Sequence, residues 1–192
     1  MKAAIQRVFS RIPGTDTPSM DGKRYYQQAF EVLSNALRSA GWTQVTANNA
    51  PDQKNRTFSN TPYMYSNGER GGPLATYLRS AKQRSNFKLW LGTSVRRVIR
   101  EGGHITGVEV EPFLPGGYQG IVNVTKVTGR VILSAGTFGS AKILLRSGIG
   151  PQDQLEIVKS SEIDGPTMID SSSWINLPVG YNLDDHLNVS VI

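Results

Sequence analysis

The chain has 192 residues, 38% of them hydrophobic, with 21 Lys and Arg against 15 Asp and Glu, a net charge of +6. It has no cysteine, which excludes disulfides, thiol catalysis and zinc–thiolate centres; no apolar run reaches the roughly 18 residues of a membrane-spanning helix. Arg96, Arg97 and Arg100 lie close together, but no Lys/Arg block interleaves with aromatics, so the charge reads as a basic surface rather than a nucleic-acid site.

The opening residues run straight into polar sequence and do not read as a signal peptide. Residues 12–22 are turn-forming throughout. A helix is predicted over 24–39, because Tyr26, Ala29, Phe30, Leu33, Ala36, Leu37 and Ala40 recur at helical spacing and Gly41 offers a stop. Residues 42–45 read as a short strand and 47–60 as a polar loop or lid. A second helix is expected after Gly71-Gly72, with Pro73 in its first turn and Leu74, Tyr77, Leu78 and Ala81 on one face. The two glycines either turn the chain or leave helix N–H groups facing an anion.

From Phe87 the period changes to two. Strands are predicted at 87–91 and 93–100, the latter with Val95 out of phase with Val98. Gly102-Gly103 makes a hairpin turn into 104–111, where Val108 and Val110 share a face and Ile105 lies opposite Val110. A loop at 112–120 leads to a fourth strand, 121–127. Thr128-Gly129 then turns into a strand at 131–135 that is apolar enough for the middle of a sheet. A helix over 140–146 follows, ended by Gly148, and the tail after Pro151 reads as loop-rich.

The stretch 130–150 is the most informative. An apolar strand meets a glycine turn and an amphipathic helix, the unit of a nucleotide-binding α/β fold. The small residues Ser134, Ala135 and Gly136 at that turn let backbone approach a bound cofactor. Other chemistry is sparse. His104 reads as a solvent-facing hairpin residue. His186, after Asp184-Asp185, is weighed as a metal ligand or general base against a loop fixed by side-chain-to-backbone hydrogen bonds, and the loop is preferred. No Gly-x-Ser-x-Gly elbow, phosphate loop or Gly-x-Gly-x-x-Gly fingerprint is present. Asn55, Asn123 and Asn188 each open an Asn-x-Ser/Thr triplet that would accept a glycan in a secreted protein.

Residues 136–150, Gly-Thr-Phe-Gly-Ser-Ala-Lys-Ile-Leu-Leu-Arg-Ser-Gly-Ile-Gly, resemble the second signature of the glucose–methanol–choline (GMC) flavin oxidoreductases, with Ala141 where that family usually has proline or serine. The run from Leu177 to His186 is similar to a later element of the same family. Residues 16–25, 71–78 and 173–178 resemble its cellobiose dehydrogenase branch. The resemblance implies an α/β (α+β) fold: a partial FAD/NAD(P)-binding Rossmann-like domain with an antiparallel β-meander. Residues 1–192 would be an internal part of the flavin domain, with 87–150 as the meander and returning strand–turn–helix and 151–192 starting the link to the substrate domain. It implies FAD as cofactor, with the Val95 backbone at the adenine and Ser134, Ala135 and Gly136 close to the FAD.

The family's glycine fingerprint and its catalytic histidine region have no counterpart in these residues, so no catalytic residue is assigned, and His186 is not the family's base. The parent is expected to be a secreted oxidoreductase of CH–OH donors, oxidising cellobiose or a related oligosaccharide to its lactone. Its electrons would pass to a haem domain (haem b) or another acceptor, without membrane or nucleic-acid partners. The alternatives are another alcohol or sugar oxidase or dehydrogenase of the family, and a non-enzymatic basic binding module.

Overall fold

The structure, a computed structural model, describes residues 2–186. It divides into two compact units, Met1–Leu89 and Trp90–Ile192.

The first unit opens with helix α1 (Lys2–Arg11), an element the sequence reading did not anticipate. Its last residue, Arg11, lies 4.1 Å over the ring of Tyr77 and donates to the Ser80 hydroxyl at 2.5 Å, a cation–π contact that ties the helix to the second half of the unit. Helix α2 spans Gln28–Ser39, starting later than the predicted residue 24. The reason is local: Tyr26 adopts a left-handed backbone (φ 54), and the Arg24 guanidinium and Tyr25 hydroxyl are engaged by Asp16 and Asp21. The strand predicted at 42–45 is β1 (Thr43–Gln44), which pairs in parallel with β2 (Thr57–Phe58). The expected loop at 47–60 therefore ends in a strand. A two-residue hairpin, β3 (Tyr65–Ser66) with β4 (Glu69–Arg70), precedes Gly71-Gly72. The predicted second helix is a π-helical turn, Leu74–Leu78, running into α3 (Arg79–Ala81).

The second unit is built on a three-stranded antiparallel meander, β5 (Thr93–Glu101), β6 (His104–Pro112) and β7 (Gly120–Asn123), in that order. Two register shifts correct the simple alternation. Arg96 is an extra residue on β5, so Val95 pairs with Val110 and Val98 with Val108. The bulge brings Val95 into phase with Val98. Thr106 is the extra residue on β6, and Ile105 packs with Val108 against the same cluster instead of turning away from it. The predicted strand at 87–91 does not form: its residues have no ladder partner among the described residues, and Leu89, Trp90 and Leu91 are exposed. The fourth predicted strand stops at Asn123, because Val127 takes a positive φ of 70 and Gly129 folds back onto the Thr125 carbonyl at 2.8 Å.

Residues 131–135 also form no strand. Extended sequence becomes a strand only where a neighbour completes the ladder, and no described residue does so. Side-chain burial alternates instead: Val131 and Leu133 pack on the core, while Ile132 is 86% exposed. Helix α4 (Gly136–Arg146) follows. It ends in a Schellman motif, with Gly148 N–H to Leu145 O at 3.1 Å and Ile149 N–H to Leu144 O at 3.0 Å. Gly148 sits at φ 70, and a Cβ there would come within 2.5 Å of Ile169, so both conformation and space demand glycine.

The tail expected to be loop-rich carries helix α5 (Gln152–Ser160), started by Pro151 and anchored by Leu155, the most completely buried large side chain. Its burial is worth about 2 kcal/mol. Val98, Ile143 and Ile149 form the core cluster between the meander and α4. Ile175 closes it from the tail through a parallel bridge to Ile149.

Candidate cofactor-contact site

The carboxyl end of the extended segment 131–134, the amino end of α4 and the first half of β5 enclose a groove of about 370 Å³. Val95, Ser134 and Ala135 all line it, together with Ser94, Leu133, Lys142 and Arg146. Three of the four residues singled out from sequence thus meet at one place although they lie some forty positions apart. The fourth, Gly136, opens α4 at φ 78 next to the lining residues rather than among them. No atom lies within 4 Å of where its Cβ would be. The backbone angle is what calls for glycine there, since it lets the chain turn from the extended segment into the helix.

Several features make the groove suited to a nucleotide. β5 is the edge strand of its sheet, so alternate backbone groups point away from β6 and can read the edge of a ring. The side chains at the turn are no larger than serine. α4 has no side-chain N-cap bond, so part of its first-turn N–H set is open to an anion. The Ala135 N–H is satisfied by the Ser140 hydroxyl at 3.1 Å, which fixes the turn.

Lys142 and Arg146 sit one turn apart on α4 and put two cations on the groove wall. Arg146 is held by Asp164 at 3.0 Å, and Asp164 also takes Arg96 at 3.5 Å. The sequence reading missed Ser94, Lys142 and Arg146; the four-residue spacing of the two cations on a predicted helix was the available signal. This donor set is of the kind that would hold part of a flavin adenine dinucleotide, backbone facing a ring edge and Lys142 facing phosphate.

His104 and His186 are not among the residues that line the groove. His104 is exposed on the hairpin. The His186 N–H donates to the Asp185 carboxylate at 2.7 Å, and the Asp185 N–H to Asp184 at 2.9 Å, so the acidic pair organises the loop through backbone bonds. No three His, Cys, Asp or Glu gather among the described residues. Asn55 and Asn123 are exposed, and Asn188 lies outside the described residues.

The family model described as GMC oxidoreductase matches residues 4–188. The chain belongs to the GMC oxidoreductase family. Its mixed helix-and-strand fold is accordingly part of a Rossmann-like FAD-binding domain with a meander. The oxygen-dependent choline dehydrogenase of Vibrio vulnificus (strain YJ016) is 34% identical over 161 residues, 83% of this GMC chain and 25% of that protein. The oxygen-dependent choline dehydrogenase of Rhizobium johnstonii is 30% identical over 176 residues, 91% of this chain and 28% of that protein. An FAD-dependent oxidoreductase from Chaetomium thermophilum superimposes with a TM-score of 0.57 at 24% identity, over 70% of this chain and 22% of that one; that likeness is one of fold. The chain spans about a quarter of the length of the curated relatives it matches.

Proposed function

We propose that this chain is the adenine-side wall of the cofactor site in an FAD-dependent oxidoreductase acting on CH–OH donors. The observation that carries the reading is the groove that joins Val95 to Ser134 and Ala135 beside the Gly136 turn. When bound, FAD supplies the hydride acceptor for oxidation of an alcohol carbon. The residues here hold and orient it: the β5 edge at Val95 takes the adenine, Ser134 and Ala135 allow close approach of main chain, and Lys142 and Arg146 balance phosphate charge. Gly136 contributes by shaping the turn. No group in this chain is assigned to move the substrate proton.

For the donor we favour cellobiose or a related oligosaccharide, oxidised to a lactone, with a haem domain or another acceptor taking the electrons. The likeness of residues 16–25, 71–78 and 173–178 to the cellobiose dehydrogenase branch supports this. Choline is the second reading, supported by the relatives at 34% and 30% identity. An extracellular setting belongs to the first reading, and the exposed Asn55 and Asn123 triplets are compatible with it.

Dye-coupled oxidation by the longer protein carrying this chain tests the proposal, with cellobiose, glucose and choline as donors. Cellobiose turnover is the expected result. Turnover of choline alone would replace the sugar reading, and no alcohol oxidation by a flavin-loaded protein would overturn both. The 192-residue chain by itself is expected to show no turnover and to retain little FAD.

A further inference from the structure

The Met1–Leu89 unit contains a second concavity, of about 350 Å³, within the roughly 300–1,000 Å³ range of small-ligand sites. We propose that it binds a neutral saccharide. Two chain segments meet there through paired backbone bonds between Thr15 and Tyr63, at 3.0 and 2.8 Å, which place Asp16 and Tyr63 on one wall. Arg24 grips Asp16 twice, through its carboxylate at 2.8 Å and its carbonyl at 2.9 Å. The pair presents a flat, charge-balanced array of N–H donors and carboxylate acceptors.

Asn60 carries the inference furthest. It is only 9% exposed, lines the pocket, and its amide bonds to no other described residue. Among the described residues no side-chain N or O is sealed off without a partner, so the Asn60 amide keeps solvent access, and Asn60 lines the pocket. An amide placed in this way offers a ligand one donor group and one acceptor on an otherwise buried residue. Phe30, braced against Phe58 at a ring separation of 6.1 Å, and the half-exposed ring of Tyr63 provide the apolar surface.

Planar donor–acceptor pairs read vicinal hydroxyls, and aromatic faces cover the C–H side of a sugar ring. An anion would compete with Asp16. A quaternary ammonium would need a carboxylate that is not already bonded to Arg24. A neutral polyol can donate to Asp16 and bond the Asn60 amide without disturbing the Asp16–Arg24 pair.

Saturation-transfer NMR on the folded chain, with cellobiose and glucose as probes and choline as the comparison, tests this. Saturation of sugar ring protons is expected, with affinity reduced about tenfold or more by Asn60→Leu, the loss of one or two ligand hydrogen bonds, and also reduced by Tyr63→Ser at the rim. Asn60→Leu keeps the side-chain volume, and Tyr63→Ser guards against a folding defect in it. A response to choline and not to sugar, no response to any probe, or undiminished sugar binding in both variants would overturn the proposal. The site does not depend on the flavin reading: Ala135→Leu in the groove at β5 leaves the sugar response unchanged.

Discussion

The backbone N–H of Val98 donates to the Ser147 hydroxyl at 2.9 Å, tying the middle of β5 to the C-cap of α4, 49 residues away. β5 is an edge strand, and Val98 is 3% exposed, so this donor has neither a ladder partner on that side nor water. The Ser147 hydroxyl in turn donates to Ile143 O at 2.5 Å, a second bond to the carbonyl that also accepts the Ser147 N–H. One hydroxyl thus seals the strand edge against the helix that forms the other wall of the groove at Val95, Ser134 and Ala135.

Ser147→Ala leaves the Val98 N–H buried without a partner. The expected destabilisation is about 1–3 kcal/mol, read as a lower urea midpoint with an unchanged slope. Ser147→Thr, which keeps the hydroxyl, recovers part of it.

Arg100 is the second fastener. The residue is 7% exposed, and its guanidinium, in no ion pair among the described residues, donates to the carbonyls of Gly102, Ser147, Gly148 and Ser173 at 2.6–3.2 Å. Burial pushes its pKa down from the usual arginine value, yet it stays charged and suits the negative end of α4. Arg100→Met removes a donor from four carbonyls, of which Gly148 O keeps the Ile175 N–H, with an expected loss of roughly 3 kcal/mol. Arg100→Lys recovers little, because an ammonium cannot span carbonyls on three separate turns. Thermal melts of the three proteins check the order wild type, Lys, Met.

The exposed Asp21–Tyr25 pair sets a pH window. The Tyr25 hydroxyl donates to Asp21 at 2.5 Å. That bond, helped by the Lys23 N–H and the Ser19 hydroxyl, lowers the Asp21 pKa and raises that of Tyr25. The Asp21 contribution is present above the ordinary carboxylate pKa and is lost as pH falls through the depressed value. The Tyr25 contribution is present below the ordinary phenol pKa and is lost as pH rises through the raised value. An ultraviolet titration, with Tyr25→Phe as the subtraction, should show Tyr25 ionising at higher pH than free tyrosine. Asp21→Ala should return it to the ordinary range.

Short-range chemistry made much of the fold legible. The Gly102-Gly103 hairpin, the meander and the helix stopped by Gly148 all follow from period, turn residues and caps. What escaped the sequence depended on context. Residues 131–135 have strand composition, but pairing needs a neighbouring strand, which composition does not supply. The bulges at Arg96 and Thr106 reassign faces that strict alternation assigns wrongly. α5 was hidden because Leu155, Ile157 and Val158 are few among polar residues, although Pro151 before them and Asp153 in the first turn are helix-start features. Val95, named through the family resemblance, and Ser134 and Ala135, named through the strand–turn–helix motif, line one groove, whereas Lys142 and Arg146 gained meaning only once α4 was placed beside β5.

Backbone-amide NMR of the chain titrated with ADP, the adenosine-diphosphate half of the cofactor, tests the cofactor-site reading most directly. The reading predicts shifts that cluster at Val95, Ser134 and Ala135, saturate with ADP and vanish in Ala135→Leu, while riboflavin leaves those amides unmoved. ADP shifts that fall elsewhere on the chain, or none in a chain whose dispersed spectrum shows it folded, would contradict it.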